Sequence, residues 1–207
     1  RHRTWRAERW TTLGPQGAIL LVTARLATSD DAARPRLKVA RLRTGQAGVA
    51  ITPMPPTPFV PEVPHAQLTF TEVTLTDNDL LPGDGYARCV KPFRTLEDLY
   101  VAAAVLAWLA GTAHRRGWPH DYREGLAGAL ALLAALADEP QDAPATHLAL
   151  AGALQWAAEL HRQADALWAR TPDDPATLRW QRDRPLMNVA ARARELRAQR
   201  AWEALER

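Results

Sequence analysis

Few residues of this chain belong to the types that carry covalent or metal chemistry. Ser29 is the only serine and Cys89 the only cysteine, and neither has a basic neighbour or a nucleophile-elbow context. The chain contains no CxxC pair and no HExxH string. We therefore expect no nucleophilic hydrolase and no metal site. Solvated or capping roles are expected for four histidines of the C-terminal half that show no i, i+4 pairing, namely His114, His120, His147 and His161.

Arginine supplies almost all of the positive charge. The formal net charge is +3, from 26 basic and 23 acidic residues, and Lys38 and Lys91 are the only lysines. Arginines are densest between Arg179 and Arg207, where glutamates recur at spacings that pair on a helix. Nucleic-acid binding requires positive charge gathered on one face. A salt-bridged helix is the better interpretation, and we expect no nucleic-acid partner.

Composition favours a globular protein of a reducing compartment. The chain has 207 residues, of which 47% are hydrophobic, and a single cysteine cannot form an intrachain disulfide. The most apolar stretches, 101–110 and 125–137, are shorter than the roughly 20 residues that a membrane span needs. We expect a cytoplasmic protein with no membrane partner.

The sequence of the first half of the chain predicts β-structure. Six prolines between Pro53 and Pro64 exclude a helix and permit only extended or turn geometry. Apolar runs and alternation predict four strands, at 18–24, 36–43, 48–52 and 67–75. The last strand brings Leu68, Phe70 and Val73 to one face only if a bulge lies near Glu72.

The second half changes to helical periodicity. Thr95 is the predicted cap of a first helix ending near residue 115, and Asp121 the predicted cap of a second. A third helix is expected at about 145–169, and a fourth from Asp183 to Leu205 with Pro185 in its first turn. The predicted fold class is α+β: a partial β-barrel-like domain over 1–90, followed by an antiparallel four-helix bundle over 91–207.

Two stretches resemble the acyl-CoA dehydrogenase family. Trp10-Thr11-Thr12, followed by the apolar run 17–24, is similar to the Trp-Ile/Val-Thr signature and hydrophobic strand of the family's middle domain. Residues 68–75, followed by 80–86, resemble its L-x-F-x-x-V-x-V strand and the turn into the first bundle helix. The family joins a helical N-terminal domain, a middle β-domain and a C-terminal four-helix bundle. The resemblance implies that this chain carries part of the second and the whole of the third.

The resemblance implies FAD-dependent α,β-dehydrogenation of an acyl-CoA thioester. That chemistry needs a carboxylate base on one side of the acyl chain and an oxidised flavin on the other. Trp10 would lie against the flavin ring, and Thr11 or Thr12 would offer a hydroxyl or backbone N–H to its reactive edge. The alternative is that Trp10 packs in a core and that the threonines serve β propensity.

Two further residues are implied by the resemblance, both in the first helix. Glu97 stands where some family members carry the catalytic base, and Asp98 where the family commonly has arginine. Glu97 is equally typical of a first-turn acid that stabilises a helix. Arg115 takes the place of the arginine that reaches the cofactor pyrophosphate, although the text Arg115-Arg116-Gly117-Trp118-Pro119 departs from the family's Arg-x-x-Phe-Gly.

The implied partners are an acyl-CoA substrate and further copies of the same chain. Family members associate through their bundles, so a homo-oligomer is expected. The family's Gln-x-x-Gly-Gly segment does not occur in this sequence. The alternative hypothesis is therefore a non-catalytic acyl-CoA dehydrogenase-like subunit or interaction scaffold.

Overall fold

The structure is a computed structural model that describes residues 5–25 and 37–207, with only the backbone of residues 5–10. The chain divides into two compact units, Arg1–Val90 and Lys91–Arg207. The first, here called the β unit, contains the strands, and the second, the helical unit, contains the long helices.

The described part of the β unit has five strands in two antiparallel sheets. They are β1 (Trp5–Thr12), β2 (Ile19–Arg25), β3 (Leu37–Arg43), β4 (Val49–Pro53) and β5 (His65–Phe70). One sheet has the order β1-β5-β4 and the other pairs β2 with β3. The four predicted strands are confirmed, whereas β1 was not predicted. No closed barrel forms among the described residues.

Side chains from both sheets of the β unit share one small core. It contains Leu20, Leu42, Leu68, Phe70 and Val73. The predicted strand 67–75 was wrong at its end, because β5 stops at Phe70 and Glu72 has a left-handed backbone with φ 50°. This single residue turns the chain and still returns Val73 to the core, which is the effect expected of a bulge.

Glycine closes the turn before β4. Gly48 has φ 84°, a region that favours glycine. A Cβ at this position would lie 2.1 Å from the carbonyl oxygen of Thr71. The N–H of Thr71 donates to the Gly48 carbonyl over 2.8 Å. The close approach of these two backbones therefore requires glycine.

The helical unit consists of five α-helices and one 3₁₀ segment. The helices are α1 (Lys91–Arg116), α2 (His120–Ala137), α3 (Pro144–Trp168), α4 (Pro175–Asp183) and α5 (Ala191–Leu205). Leucines and alanines at helical spacing form one continuous core, in which Leu106, Leu126 and Leu150 are fully buried. The 3₁₀ segment Arg184–Asn188 separates α4 from α5.

Both predicted helix caps lie inside their helices. Thr95 is fully buried within α1, and its Oγ1 lies 3.4 Å from Nε2 of His147 on α3. The chain is already helical before Thr95, because the π-helical turn Tyr86–Val90 leads directly into α1. The N-cap of α2 is Pro119, and the carboxylate of Asp121 accepts the N–H of Tyr122 over 2.9 Å.

The predicted fourth helix is broken into separate pieces. Pro185 lies in the 3₁₀ segment, and Ala190, just before α5, has a left-handed backbone with φ 66°. A left-handed residue cannot continue a right-handed helix. The α+β class is confirmed, but the helical unit has five helices and is not confirmed as a four-helix bundle.

One helical stretch among the described residues has the length and composition to cross a membrane. It runs over Tyr86–Arg116, 31 residues, with a mean hydropathy of 1.3 in its most apolar window. Its first turn, Tyr86–Val90, is π-helical and starts before the predicted beginning near Thr95. Of that window 39% is buried, and buried core helices meet the same criterion, so this is weak evidence for a membrane.

Candidate functional site

The predicted flavin-facing residues of the β unit lie at the end of an edge strand. Thr11 and Thr12 pair with Ala66 and His65 of β5, and β1 is the outer strand of its sheet. The pairing register of β1 and β5 shifts between Ala7 and Thr11. Such irregularities bend a strand and take backbone groups out of the ladder. Trp10 lies in this stretch, and its side chain is outside the described residues.

A tight turn fixes the end of β1. The N–H of Leu13 donates to the carbonyl of Pro64 over 2.8 Å, and Leu13 has φ 58°. Gly14 is buried, and a Cβ there would lie 3.0 Å from the Cβ of Ala66. Thr11 is half-buried and Thr12 exposed. The turn therefore holds the two threonines at the surface with a defined backbone course.

Glu97 lies on the solvent side of α1. Its side chain is 43% exposed, and its Oε2 is 3.3 Å from Nη1 of Arg94, one turn earlier. An exposed i, i+3 ion pair of this kind contributes little to stability. The Glu97 carboxylate is thus accessible to solvent and held by one exposed ion pair.

The neighbouring carboxylate, Asp98, is buried and held by two arginines of α5. Arg194 Nε donates to Oδ1 over 2.8 Å, and Arg197 Nη2 donates to Oδ2 over 2.7 Å. Arg194 also donates to the carbonyl of Met187 over 2.7 Å. Sequence reasoning missed this cluster because its partners are almost a hundred residues apart. The only signal was the i, i+3 arginine pair in the C-terminal segment.

Glu97 and Arg115 lie on one face of α1. They are 18 residues apart, which is five helical turns and about 27 Å along the axis. This face is here called the exposed stripe of α1, and the residues in its middle are mostly small and apolar. Its exposed members are Phe93, Glu97, Tyr100, Ala104, Ala107 and Arg115.

The small residues of this stripe permit close approach of a flat or elongated molecule. Of the three consecutive alanines at 102–104, only Ala104 is exposed, whereas Ala102 is fully buried in the helical core. Gly111 continues the stripe toward its C-terminal end and is half-buried. The stripe is therefore defined by helical spacing rather than by consecutive alanines.

Two adjacent arginines at the end of α1 have different environments. Arg115 is exposed, and its Nη2 donates to Thr112 Oγ1 over 3.3 Å. Arg116 pairs with Asp174 over 2.7 Å, and its guanidinium carbon lies 4.7 Å from the centre of the Trp168 ring. The pairing with Arg116 holds the pKa of the Asp174 carboxyl below its usual range. Arg116 thus anchors α4, while Arg115 presents its charge to solvent.

The expectation of solvated or capping histidines was wrong for two residues of α3. His147 is 5% exposed and His161 9% exposed. Burial lowers the pKa of His147, although a hydrogen bond with the Gln141 carbonyl opposes this shift. Burial also lowers the pKa of His161, to about 4, with a smaller opposing effect from Asp165. Their positions in the apolar stripe of α3 are the signal that could have shown this.

Comparison with solved structures gives the fold. A putative acyl-CoA dehydrogenase from Mycobacterium smegmatis matches with a TM-score of 0.69 at 14% identity, covering 99% of this chain and 61% of that one. The butyryl-CoA dehydrogenase from Megasphaera elsdenii matches with a TM-score of 0.64 at 14% identity, over 99% and 60%. No protein-family model and no curated protein matches the sequence.

The same fold is shared by a protein whose named activity is different. The dibenzothiophene monooxygenase from Paenibacillus sp. A11-2 matches with a TM-score of 0.67 at 13% identity, covering all of this chain and 65% of that one. The chain therefore spans less than two thirds of the length of these structures.

The predicted resemblance to the acyl-CoA dehydrogenase family is confirmed at the level of fold. The chain has the architecture of part of an acyl-CoA dehydrogenase. At 13–14% identity this likeness shows the fold alone.

Proposed function

We propose that this chain is part of a cytoplasmic, FAD-dependent oxidoreductase that dehydrogenates an acyl-CoA thioester between its α and β carbons. The observation that carries the proposal is the accessible Glu97 carboxylate on the exposed stripe of α1, in a chain with the acyl-CoA dehydrogenase fold. In this proposal Glu97 removes the α-proton of the bound thioester. The flavin, when bound, supplies the acceptor for the hydride from the β carbon.

The contrast between Glu97 and Asp98 supports the choice of base. A general base must come within hydrogen-bond reach of the proton it removes. Both oxygens of Asp98 already accept arginine N–H groups, and the side chain is 9% exposed. Glu97 shares only one exposed ion pair with Arg94. Entry of an acyl chain would displace Arg94 at little cost and would leave the Glu97 carboxylate facing the ligand.

Each unit, taken by itself, contains residues of the kinds that bind part of a flavin. In the β unit, Thr12 at the end of the outer strand β1 is exposed and offers a hydroxyl group, and Thr11 beside it is half-buried. Donors of this kind stabilise the negative charge of a reduced ring. On α1, Ala104 and Ala107 leave room for a flat ring, and the exposed Arg115 guanidinium suits a pyrophosphate. Trp10 is proposed to lie against the ring.

Absorbance spectroscopy tests this function directly. The protein encoded by the native gene should purify with a bound-flavin absorbance band, or acquire one on incubation with FAD. Under anaerobic conditions, butyryl-CoA or a longer saturated acyl-CoA should bleach that band, while free coenzyme A should not. A protein that stays colourless after incubation with FAD would refute the catalytic proposal.

A non-catalytic subunit or scaffold with the same fold is the second candidate. The observation that favours it is the end of α1, where Arg116 is engaged by Asp174 and Trp168 and the chain turns at Gly117 instead of continuing the family's motif. Large apolar side chains are also exposed in the helical unit, and they would suit a homo-oligomeric contact: Trp156, Leu178, Val189, Trp202 and Leu205.

The two candidates differ in what they require of Glu97. A scaffold should keep its cellular role and its oligomeric state in a Glu97→Gln variant. It should lose them in a Trp156→Glu or Trp202→Glu variant. An enzyme should lose turnover in Glu97→Gln while its oligomeric state, measured by light scattering, stays unchanged.

A further inference from the structure

The helical unit contains a cavity that the proposed dehydrogenation does not use. Its volume is about 450 Å³, and it lies between α3 and the segment from α4 to α5. Ligand pockets in proteins commonly measure about 300–1,000 Å³. Its apolar wall consists of Leu154, Ala158, Trp180, Pro185 and Met187. The volume is sufficient for a small organic molecule.

A carboxylate inside the cavity fixes one wall. Asp165 Oδ1 accepts the indole N–H of Trp180 over 2.7 Å, and Oδ2 accepts an N–H of Arg184 over 3.1 Å. Both oxygens therefore have donors, and the Trp180 ring is held in place. The ring of Trp108 is stacked on that of Trp180, with 6.0 Å between the ring centres. The aromatic wall is thus preorganised, which reduces the entropic cost of binding.

Buried His161 contributes a polar edge to the same wall. Its ring lies 5.7 Å from that of Trp180, and its Nε2 has no hydrogen-bond partner among the described residues. Because burial lowers the pKa of His161, the ring is neutral at physiological pH. A neutral imidazole adds a donor or an acceptor to the cavity without adding charge.

Three arginines and one aspartate line the cavity. Arg162 is paired with Glu159 and Arg194 with Asp98, so their charges are offset. Arg184 contacts Asp165 through Nη1 over 3.1 Å, and its side chain is 55% exposed. Its other N–H groups can therefore reach a ligand. The cavity combines an apolar, aromatic wall with one accessible guanidinium at its rim.

We propose that this cavity is a binding site for a small organic anion with an apolar or aromatic body. The anionic group pairs with Arg184 at the rim, a geometry for which the arginine fork is well suited. The body of the ligand packs against Trp180 and Met187. The site is separate from the exposed stripe of α1 and does not depend on the proposed dehydrogenase activity.

Isothermal titration calorimetry with a matched pair of probes tests the proposal. Indole-3-acetate carries a planar apolar body and a carboxylate, while tryptophol has the same ring and no charge. We expect indole-3-acetate to bind with 1:1 stoichiometry and at least about tenfold more tightly than tryptophol, since charge-assisted hydrogen bonds are the stronger ones. Equal affinity of the two probes, or no binding of either, would overturn the proposal.

Three variants locate the binding. Ala158 is an exposed residue of the cavity wall, so Ala158→Phe should fill the space, abolish binding and leave the fold intact by circular dichroism. Arg184→Gln should weaken the binding of indole-3-acetate about tenfold and leave that of tryptophol unchanged. The matched control, Arg200→Gln, alters an exposed arginine that lies outside the cavity lining and should have no effect. If Ala158→Phe bound indole-3-acetate as tightly as the original protein does, the probe would bind elsewhere, and the proposed site would be refuted.

Discussion

The two units fix their candidate functional residues by different means. In the helical unit, buried polar groups are built into a large apolar core, and the Asp98 cluster ties α1 to α5. In the β unit the apolar core is small, and β1 is positioned by backbone hydrogen bonds and by a tight turn at Leu13 and Gly14. Side-chain charge therefore specifies packing in one unit, whereas backbone conformation specifies it in the other.

Removing the carboxylate of Asp98, in the helical unit, should have the largest effect on stability. Asp98→Ala leaves Arg194 and Arg197 partly buried without their partner. We expect a loss of about 3–5 kcal/mol in the free energy of unfolding, the usual cost of breaking a buried ion pair from one side. Urea denaturation followed by circular dichroism at 222 nm measures it.

Asp138→Ala is the matched control for that experiment. Asp138 is exposed at the end of α2, and its removal should change stability by less than about 0.5 kcal/mol. Equal effects of the two substitutions would contradict a special role for the Asp98 cluster.

Acid should destabilise the helical unit through His161. In the folded chain burial lowers the pKa of this residue from 6.5 to about 4. Between these two pH values the unfolded chain binds a proton that the folded chain does not, so stability falls as the pH falls. The loss over this window is roughly 2–3 kcal/mol from this one group. It is measured as the slope of the unfolding free energy against pH.

The His161→Gln variant should show a smaller slope over the same pH window. His120→Gln, at an exposed histidine in the first turn of α2, should keep the slope of the original protein. If His161→Gln retained the full slope, the acid sensitivity would have to come from other groups.

A backbone substitution should give the next largest effect, in the β unit. Gly48→Ala places a methyl group against the Thr71 carbonyl and forces a non-glycine residue into φ 84°. We expect a loss of about 1–3 kcal/mol. Gly45→Ala, where a Cβ meets nothing within 4 Å, should be neutral or slightly stabilising. Similar losses from both would show that the turn has no special conformation, and thermal unfolding measures the difference.

Local patterns predicted the interior of most elements but not their ends. Apolar runs and alternation located β2 to β5, and apolar periodicity located α1 to α3. The beginning of α1 was misplaced because Thr95 was interpreted as its cap, whereas the chain is already helical from Tyr86. The left-handed Ala190 that divides the last helix has no signal in residue type, since alanine normally favours helix.

The charged and polar cores could not be predicted because they depend on contacts between distant segments. Asp98 was noted only as standing where the family commonly has arginine, and its burial follows only once α5 brings Arg194 beside it. The position of His161 in the apolar stripe of α3 indicates burial, but the partner of its ring, Trp180, lies on another helix and has no local signal. For the candidate site, sequence reasoning placed Glu97 and Arg115 on α1, and helical geometry puts both on its exposed stripe.

The rate at which the α-proton of a bound acyl-CoA exchanges with solvent tests the central claim most directly, namely that Glu97 is the base and Asp98 a structural group. Exchange in deuterium oxide is followed by mass spectrometry for the native protein, Glu97→Gln and the control Glu124→Gln, which alters an exposed residue of α2. The account predicts that Glu97→Gln slows exchange by about 10²–10⁴-fold. The Glu124→Gln variant should exchange like the original protein, and both variants should keep its stability. Exchange in Glu97→Gln as fast as in the original protein would contradict the account.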